Sequence, residues 1–298
     1  MSTSQAAPTA QAEPLLHATA TPAPRGDAVP CKVCGSHAAL VFHRAGKRQR
    51  LLEAPFKPEG YERPYYRCSR CGLLFHTGFD HLTPEEEDQT KLPGVNNPKD
   101  QVINRAVRET LMTFNLMQMF KLPLTSRILI FGCGAGLSFN MMLGHQMNAY
   151  ASDLTMQFPE TAKRYEADIF NPELLPEMLR RFRPFDQIHP ESVHLVTLTE
   201  VFEHFPNPVE MMQRIAATVR PGGLVIGTTG WVDQVREDLR DWWYLRCLSH
   251  CTFLSAKAFQ HICRACGCLG VMLPGSPMIT GQTGISPTQT VFVMQKPL

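Results

Sequence analysis

The chain has 298 residues, of which 44% are hydrophobic, and its formal net charge at pH 7 is +2. This hydrophobic content is enough for a sizeable core, which excludes a wholly disordered protein, and the small net charge by itself indicates no partner. No apolar run reaches the roughly 18–20 residues that a membrane-spanning helix needs, so we expect no membrane partner.

The N-terminal stretch is rich in Ala, Pro, Thr and Ser, and this composition predicts a disordered tail over residues 1–30. The tail has one basic residue, Arg25, and no apolar stretch, so it does not resemble a secretory signal. The ten cysteines of the chain are spaced in a way that suits metal-bound thiolates better than a disulfide framework. Both observations predict a reducing, cytoplasmic location.

Two CxxC motifs follow the tail, each with a glycine directly after its second cysteine: residues 31–36 read CKVCGS and residues 68–75 read CSRCGLLF. The spacing lets two thiolates from one tight turn reach the same metal, and Zn²⁺ takes four such ligands in a tetrahedron that leaves no open position. We therefore predict a small zinc-ribbon module over residues 31–79. Its structural zinc site would be made by Cys31, Cys34, Cys68 and Cys71. Four unrelated thiols or a redox pair are the alternatives.

The zinc-ribbon module carries an excess of positive charge. Between residues 31 and 71, nine Lys and Arg residues oppose three Glu residues. Such a surface suits an anionic acceptor, which includes a nucleotide-linked sugar, a phosphorylated carrier and nucleic acid, although a merely solvated surface fits as well. Residues 80–99 are rich in turn-forming residues and predict a linker or lid. A helix is predicted over residues 100–120, with Ala106, Leu111 and Phe114 on its apolar face.

Residues 127–136 read RILIFGCGAG, a short apolar run that leads into three glycines at every second position. The apolar run predicts a buried parallel strand. The glycines predict a tight turn that lets a ligand approach the backbone at the carboxyl end of that strand. The G-x-G-x-G spacing differs from the GxGxxG of nicotinamide-binding folds and favours S-adenosylmethionine. The predicted cofactor contacts in this turn are Phe131, Gly132, Cys133, Gly134 and Gly136.

The strands that follow the glycine turn end in residues suited to a nucleoside. The second strand, residues 148–153, ends in Asp153, whose carboxylate accepts hydrogen bonds from both hydroxyls of a ribose. The third strand, residues 165–168, ends in Asp168, near the expected position of an adenine. Further strands are predicted within residues 192–205, 224–229 and 290–296. This alternation of strands and helices predicts a doubly wound α/β sheet.

These motifs, in this order, resemble the class I S-adenosylmethionine-dependent methyltransferases. The resemblance covers residues 100–298 and implies a Rossmann-like sheet of seven strands with S-adenosylmethionine as cofactor. It also implies that Leu154, Thr199 and Glu200 lie beside the cofactor. One position departs from the family. Ile130 stands two residues before the first glycine, where the family often has an acid that contacts the methionine end, so another group must supply that contact.

The zinc motifs ahead of such a domain resemble those of zinc-ribbon methyltransferases that act on sugars and natural products, including deoxysugar C-methyltransferases. Residues 249–255, SHCTFLS, resemble the segment that lines the acceptor site of these enzymes. The resemblance implies that His250 is the base, with His204 as the second candidate and Glu203 as a neighbouring carboxylate; a structural role is the alternative for each. Ser249 replaces a glutamate of the family, which favours O- or N-methylation over C-methylation.

The leading interpretation is an S-adenosylmethionine-dependent methyltransferase with a small-molecule acceptor, and two others remain open. An RNA methyltransferase would bind nucleic acid through the basic zinc module, although TEVF stands after the fourth strand in place of an N-P-P-Y/F-type motif. A non-catalytic binding protein on the same fold would explain Ile130 and Ser249. Trp242, Trp243 and Tyr244 either form a wall of the acceptor site or pack a lid onto the domain. The sequence leaves the oligomeric state open.

Overall fold

The computed structural model describes residues 28–45, 62–78, 80, 99–154, 156–165, 169–247, 249–274 and 289–298. Most of the predicted tail and linker, residues 1–27 and 81–98, therefore lies outside the described residues, and so does Asp168. Among the described residues, no helix has both the length and the apolar character needed to cross a membrane.

Strands and α-helices alternate along most of the described chain, and each kind is numbered in chain order. The strands are β1 (Ala28–Pro30), β2 (His37–Ala45), β3 (Glu62–Cys68), β4 (Leu74–His76), β5 (Ile128–Phe131), β6 (Ala149–Ser152), β7 (Val193–Thr199), β8 (Val219–Gly230), β9 (Thr252–Phe253), β10 (Leu269–Pro274) and β11 (Gln289–Gln295). The helices are α1 (Lys99–Met119), α2 (Leu137–Gly144), α3 (Phe158–Tyr165), α4 (Leu175–Arg181), α5 (Pro208–Thr218) and α6 (Ala256–Ala265).

Six of the strands form one mixed sheet in the order β10-β11-β8-β7-β5-β6. The strands β6, β5, β7 and β8 run parallel, while β11 is antiparallel to both of its neighbours. The central strands β5 and β7 are apolar and almost entirely buried, because α1 and α2 cover one face of the sheet and α5 and α6 cover the other. The predicted doubly wound α/β sheet is confirmed.

The count of seven strands stays a prediction. The described residues contribute six strands to this sheet, and the predicted third strand, residues 165–168, lies largely outside them. Its first residue, Tyr165, is the last residue of α3 and so belongs to a helix. The remaining predicted strands are present with shifted ends. The largest shift is in β8, which begins at Val219 rather than at Leu224.

The buried face of α1 agrees with the predicted one only in part: Ala106 is buried as expected. Leu111 and Phe114 are each 40% exposed, whereas Glu109 is buried. The buried stripe is spaced at three and four residues, as expected for a helix that packs on α2 and on the sheet. Its members include Ala106, Glu109, Thr113 and Leu116. A carboxyl group therefore lies on the face of α1 that points into the protein.

The region of the predicted zinc-ribbon module forms, together with β9, a five-stranded antiparallel sheet in the order β1-β2-β3-β4-β9. Its last strand, β9, comes from the segment after β8, and its Phe253 pairs with Leu74 of β4. One apolar core joins the two sheets, since Cys31, Leu73 and Phe75 pack in the same cluster as side chains of α5 and α6. The module and the large sheet are thus linked by a backbone ladder and by a shared core.

The segment between β8 and β9 packs against the small sheet. Trp242 and Tyr244 are buried in one apolar cluster with Tyr65 and Phe253, whereas Trp243 is 41% exposed. The rings of Trp242 and Tyr244 are stacked, with centroids 5.3 Å apart. Packing of this segment onto the fold therefore accounts for two of the three aromatic residues.

Candidate active site

The glycine turn follows β5, at the carboxyl end of a central strand. Gly132, Gly134 and Gly136 have φ angles of +74°, +51° and +73°, a backbone region that residues with a Cβ rarely adopt. A Cβ at Gly132 would lie 2.5 Å from the Val201 side chain, and one at Gly136 would lie 2.4 Å from the ring of Phe158. A Cβ at Gly134 would meet no atom within 4 Å, so the middle of the turn faces open space.

Asp153 lies directly beside this turn, at the end of β6. Its Oδ2 accepts a hydrogen bond of 2.6 Å from the Gly134 N–H, and its Oδ1 accepts one of 2.7 Å from the Leu154 N–H. The side chain of Leu154 is 55% exposed at the same edge. The two amide groups thus hold the Asp153 carboxylate next to the turn. This is the carboxylate that the sequence predicts to bind the ribose hydroxyls.

Phe131 and Cys133 flank the first glycine of the turn. The ring of Phe131 makes edge contacts with the rings of Phe185 and Phe205, at centroid distances of 4.7 Å and 6.1 Å. Burial raises the pKa of the Cys133 thiol well above its usual range, and the charge of Asp153 raises it further. The turn is therefore bordered by an aromatic ring and by a thiol that stays neutral at pH 7.

Thr199 and Glu200 lie at the end of β7, the neighbour of β5. Glu200 has a φ of +56°, which is uncommon for a residue other than glycine. Backbone conformations of this kind cluster at functional sites. Its Oε1 accepts a hydrogen bond from the Thr228 hydroxyl at 2.8 Å, and its Oε2 accepts from the Tyr244 hydroxyl at 3.0 Å and the Gln289 amide at 2.7 Å. Three donors hold this carboxylate within the protein, and its contact with a cofactor stays a prediction.

Glu203, His204 and His250 form a cluster next to the end of β7. A carboxylate oxygen of the first and a ring nitrogen of each histidine all lie within 4.8 Å of one another. The two imidazole rings are nearly perpendicular, with centroids 4.9 Å apart. Nδ1 of His204 faces the Ser249 carbonyl at 3.1 Å, and Nδ1 of His250 faces the Tyr244 carbonyl at 2.9 Å. The three residues predicted as catalytic are thus neighbours in space, and their roles stay predictions.

Glu203 contributes a fully buried carboxyl group to this cluster. Its Oε2 accepts a hydrogen bond of 2.9 Å from the Thr229 hydroxyl, and its Oε1 lies 3.7 Å from Nε2 of His250. Burial raises the pKa of Glu203 and the charge of Glu200 raises it further, while His250 acts in the opposite direction. A carboxylate in this position stabilises a protonated imidazole.

Cys247 belongs to the same cluster and was not singled out in the sequence, where its only signal is its place three residues before His250. Its Sγ lies 3.3 Å from the Ser249 hydroxyl. Burial raises the pKa of Cys247, but His250 outweighs this effect and the pKa falls to about 6. Burial likewise lowers the pKa of His250, but Cys247 and Glu203 raise it to about 9. Each side chain therefore stabilises the charged form of the other, which favours a thiolate–imidazolium pair.

Glu109 is a second residue that sequence reasoning missed. It brings a carboxyl group from α1 to the carboxyl edge of the sheet, where Thr197 Oγ1 donates a hydrogen bond of 3.3 Å to its Oε1. The available signal was an acid at the helical spacing of a buried stripe, between Ala106 and Thr113.

The four cysteines predicted as zinc ligands form a second cluster, where β1 leads into β2 and β3 leads into β4. The sulfur of Cys31 lies 3.5 Å from that of Cys71, and the sulfur of Cys34 lies 3.5 Å from that of Cys68. All four sulfurs lie within 4.8 Å of one another. The backbone N–H groups of Val33 and Cys71 donate to the sulfurs of Cys31 and Cys68, as donors that stabilise thiolates do.

The basic surface predicted for the module is only partly described. Outside the described residues lie Lys47, Arg48, Arg50 and Lys57. Arg63 is buried and donates to the carbonyls of Leu245 and Cys247, and Lys32 forms an ion pair with Asp80. The guanidinium of Arg44 donates to the Arg240 carbonyl. At least three of the nine positive charges thus make contacts within the protein, and an anionic partner stays a prediction.

The parallel strands, the glycine turn after β5 and the acid after β6 define a class of α/β proteins that bind a nucleoside cofactor at the carboxyl ends of their strands. The sequence profile of a family described as "Methyltransferase domain" matches residues 103–271. This stretch is more than half of the chain, and it contains the glycine turn, Asp153 and the cluster around His250. The chain therefore belongs to this family of methyltransferase domains.

Among the curated relatives, two match a shorter stretch of the chain. Both are named ubiquinone biosynthesis O-methyltransferase. The one from Photobacterium profundum is 31% identical over 103 residues, and the one from Paracidovorax citrulli is 27% identical over 103 residues. Each match covers 35% of this chain and 43% of the relative. The chain thus spans less than half the length of the curated relatives it matches.

Two solved structures are similar to the chain at low sequence identity. The 1,6-didemethyltoxoflavin-N1-methyltransferase of Burkholderia thailandensis, with bound 1,6-didemethyltoxoflavin and S-adenosylhomocysteine, is 13% identical, with a TM-score of 0.48 over 79% of this chain and 96% of its own. An O-methyltransferase family protein from the same species is 14% identical, with a TM-score of 0.47 over 74% of this chain and 61% of its own. At these scores neither structure bears on substrate or mechanism.

Proposed function

We propose that this protein transfers a methyl group from S-adenosylmethionine to an oxygen or nitrogen atom of a small-molecule acceptor. One observation carries the proposal: two groups of residues follow the ends of the neighbouring strands β5 and β7. They are the open glycine turn with Asp153, and the cluster of Glu203, His204 and His250. The first suits a nucleoside and the second suits removal of a proton, and methyl transfer to a hydroxyl or amine needs both.

The residues around the glycine turn fit S-adenosylmethionine. The open space in front of Gly134 admits a ligand to the backbone. Asp153, which two amides hold in place, has carboxylate oxygens that accept hydrogen bonds from ribose hydroxyls. When bound, S-adenosylmethionine supplies an activated methyl group on a sulfonium. The contribution of the chain is to hold the acceptor atom in line with that methyl group and to exclude water.

His250 is the base in this proposal. Its pKa of about 9 makes the ring a stronger base than a free imidazole, which suits an acceptor that loses its proton near the transition state. Because the Tyr244 carbonyl fixes Nδ1, the proton would be taken by Nε2, which lies 3.7 Å from Oε1 of Glu203. The buried carboxylate then stabilises the protonated ring. His204 is the alternative base in the same cluster.

Two observations favour transfer to oxygen or nitrogen rather than to carbon. Ser249 stands where the sugar C-methyltransferases that the sequence resembles have a glutamate, so a second strong base for making a carbanion is missing at that position. The curated relatives that match part of the chain are named O-methyltransferases. We therefore propose a hydroxylated sugar or natural-product intermediate as acceptor. Arg67 and Arg70, which are exposed on the ribbon, favour an acceptor with an anionic or nucleotide-linked part.

We further propose that Cys31, Cys34, Cys68 and Cys71 hold one structural Zn²⁺. Four sulfur ligands at about 2.3 Å from a tetrahedral zinc lie roughly 3.8 Å from one another. The sulfur pairs at 3.5 Å, with all four sulfurs within 4.8 Å, suit this donor set. The protein would fill all four positions of the metal, so the ion would stabilise the module and take no part in the chemistry.

Calorimetric titration of S-adenosylmethionine and S-adenosylhomocysteine into the purified protein tests the proposal. We expect a dissociation constant on the order of micromolar, and we expect Asp153→Ala to weaken both ligands by at least about tenfold, because two charge-assisted hydrogen bonds are lost. Asp241→Ala removes an exposed aspartate outside this site and is the control. If neither ligand binds the intact protein, the proposal is wrong and a non-catalytic binding protein becomes the better interpretation.

A further inference from the structure

A carboxyl group lies buried beneath the glycine turn. Glu109 is 8% exposed, and besides Thr197 the hydroxyls of Ser138 and Thr199 face its carboxyl group. Burial raises its pKa, and these hydroxyls act in the opposite direction. Within the described residues no Lys, Arg or His forms an ion pair with it. The positive charge that acts on it comes from Arg105, one turn earlier on the same helix.

The groups around this carboxyl are parts of the proposed cofactor site. Ser138 lies in the first turn of α2, directly after the glycine turn, and Thr199 is the last residue of β7. The backbone of Thr197 is paired with that of Ile130 in β5. The charge of Glu109 also raises the pKa of Cys133, which lies within the turn. The carboxyl group is therefore within electrostatic reach of a ligand held by the turn.

We propose that Glu109 binds the ammonium group at the amino-acid end of S-adenosylmethionine; this rests on the function proposed above. A buried carboxyl group is costly to ionise by itself, and a cation placed against it removes most of that cost. S-adenosylmethionine carries its ammonium at the end away from adenosine, and Ile130 leaves β5 with no acid near the turn. In this proposal Glu109 of α1 supplies the negative charge that β5 lacks because of Ile130.

The test compares two ligands that differ at the amino-acid end. S-adenosylhomocysteine carries the ammonium, whereas 5′-methylthioadenosine keeps the adenosine and the thioether and has no amino-acid part. We expect Glu109→Gln, which keeps the shape of the side chain, to weaken S-adenosylhomocysteine by about 10- to 100-fold and to change the dissociation constant of 5′-methylthioadenosine by less than about twofold. Glu210→Gln, an exposed position on α5, is the matched control and should change neither.

Each other outcome is informative. Equal weakening of both ligands by Glu109→Gln would show that the residue shapes the pocket, and unchanged binding of both would place the ammonium elsewhere; either result overturns the inference. Absence of S-adenosylhomocysteine binding to the wild-type protein would instead overturn the proposed function. If Glu109→Gln does not fold, as judged by its thermal transition, Glu109→Asp replaces it. That variant keeps the charge, so it should weaken S-adenosylhomocysteine alone and by less; equal weakening of both ligands would again overturn the inference.

Discussion

The reactivity of His250 is set by the few groups that face its ring. Burial lowers its pKa, while Cys247 and Glu203 raise it to about 9. A base accepts a proton only in its deprotonated form, so the fraction of competent His250 grows as the pH rises toward 9. The rate of methyl transfer should therefore increase with pH over that range. The same neighbours that make the ring a stronger base also favour its protonated form.

Cys247→Ser should lower the pKa of His250 by about one unit or more, because a serine hydroxyl stays neutral and the charge of the thiolate is lost. The rising part of the pH–rate profile should move to lower pH by the same amount. Proton NMR titration of the histidine rings measures this pKa without any acceptor. Cys266→Ser, at the end of α6, is the control and should leave the titration unchanged. An unaltered midpoint in Cys247→Ser would contradict the thiolate–imidazolium pair.

At the scale of elements, two glycines of the turn are needed for different reasons. Gly136 leaves room for a neighbouring side chain, and Gly134 leaves room for the proposed ligand. Gly136→Ala would place a methyl group 2.4 Å from the Phe158 ring at a φ of +73°, so we expect overlap and strain together to lower the free energy of unfolding by about 2–5 kcal/mol. Gly134→Ala meets no protein atom within 4 Å and should lose only the roughly 1–2 kcal/mol of backbone strain.

The two variants should therefore differ in what they lose. We expect Gly134→Ala to lose cofactor affinity out of proportion to its small loss of stability, because its methyl group projects into the space assigned to the ligand. Urea denaturation measures the stability of each variant, and calorimetry with S-adenosylhomocysteine measures the affinity. A Gly134→Ala protein that binds S-adenosylhomocysteine as tightly as the wild type would place the cofactor away from the turn.

Patterns within one element made the strand β5 and the glycine turn predictable. The apolar run and the glycines are adjacent in the sequence, and each requirement is local: a strand buried on both faces, then a backbone with positive φ. The buried face of α1 was predicted correctly at Ala106 and wrongly at Leu111 and Phe114, which are apolar but exposed. Glu109 faces the interior because hydroxyl groups on β7 and α2 form hydrogen bonds with its carboxyl group. These partners come from other elements, so the pattern of α1 alone does not reveal them.

Contacts between distant segments could not be predicted from the sequence. The strand β9 has two residues, too few for any periodicity, and exists because β4 offers it an edge. Cys247 and His250 follow a short 3-10 helix that ends at Arg246, and they lie in a segment that carries no strand or helix pattern. The cluster of four cysteines was easier to predict, because the CxxC spacing places two sulfurs in one turn. Only the approach of the two turns to each other depends on the fold.

At the scale of the whole molecule, the five-stranded sheet of the predicted zinc-ribbon module holds the segment that carries His250. Nε2 of His76 contacts the His250 carbonyl at 3.0 Å, and the His76 N–H donates to the Cys251 carbonyl at 3.0 Å. The guanidinium of Arg63, in β3, donates to the Cys247 carbonyl at 3.5 Å. The proposed cofactor contacts, by contrast, belong to the large sheet and its loops. Loss of the metal should therefore disturb the acceptor side before the cofactor side.

Cys71→Ser tests this coupling, because it removes one of the four proposed zinc ligands and leaves the glycine turn unaltered. We expect it to release about one metal ion per chain. Hydrogen exchange of the amides in residues 249–254 should become faster, while S-adenosylhomocysteine still binds within about twofold of the wild-type affinity. Metal analysis, hydrogen exchange and calorimetry measure the three quantities on one preparation, with Cys266→Ser as the control that keeps all three.

The possible results separate three statements about the molecule. Unchanged metal content in Cys71→Ser would contradict the zinc assignment itself. Metal loss with full protection of residues 249–254 would show that β9 and its contacts hold without the ion, so the ribbon would not position His250. Loss of cofactor affinity in step with the metal would show that the core shared by Leu73, Phe75 and α6 makes the two sheets one cooperative unit. We expect faster hydrogen exchange in residues 249–254 together with unchanged cofactor affinity. This result would mean that the ribbon positions the acceptor side and has no effect on the cofactor site.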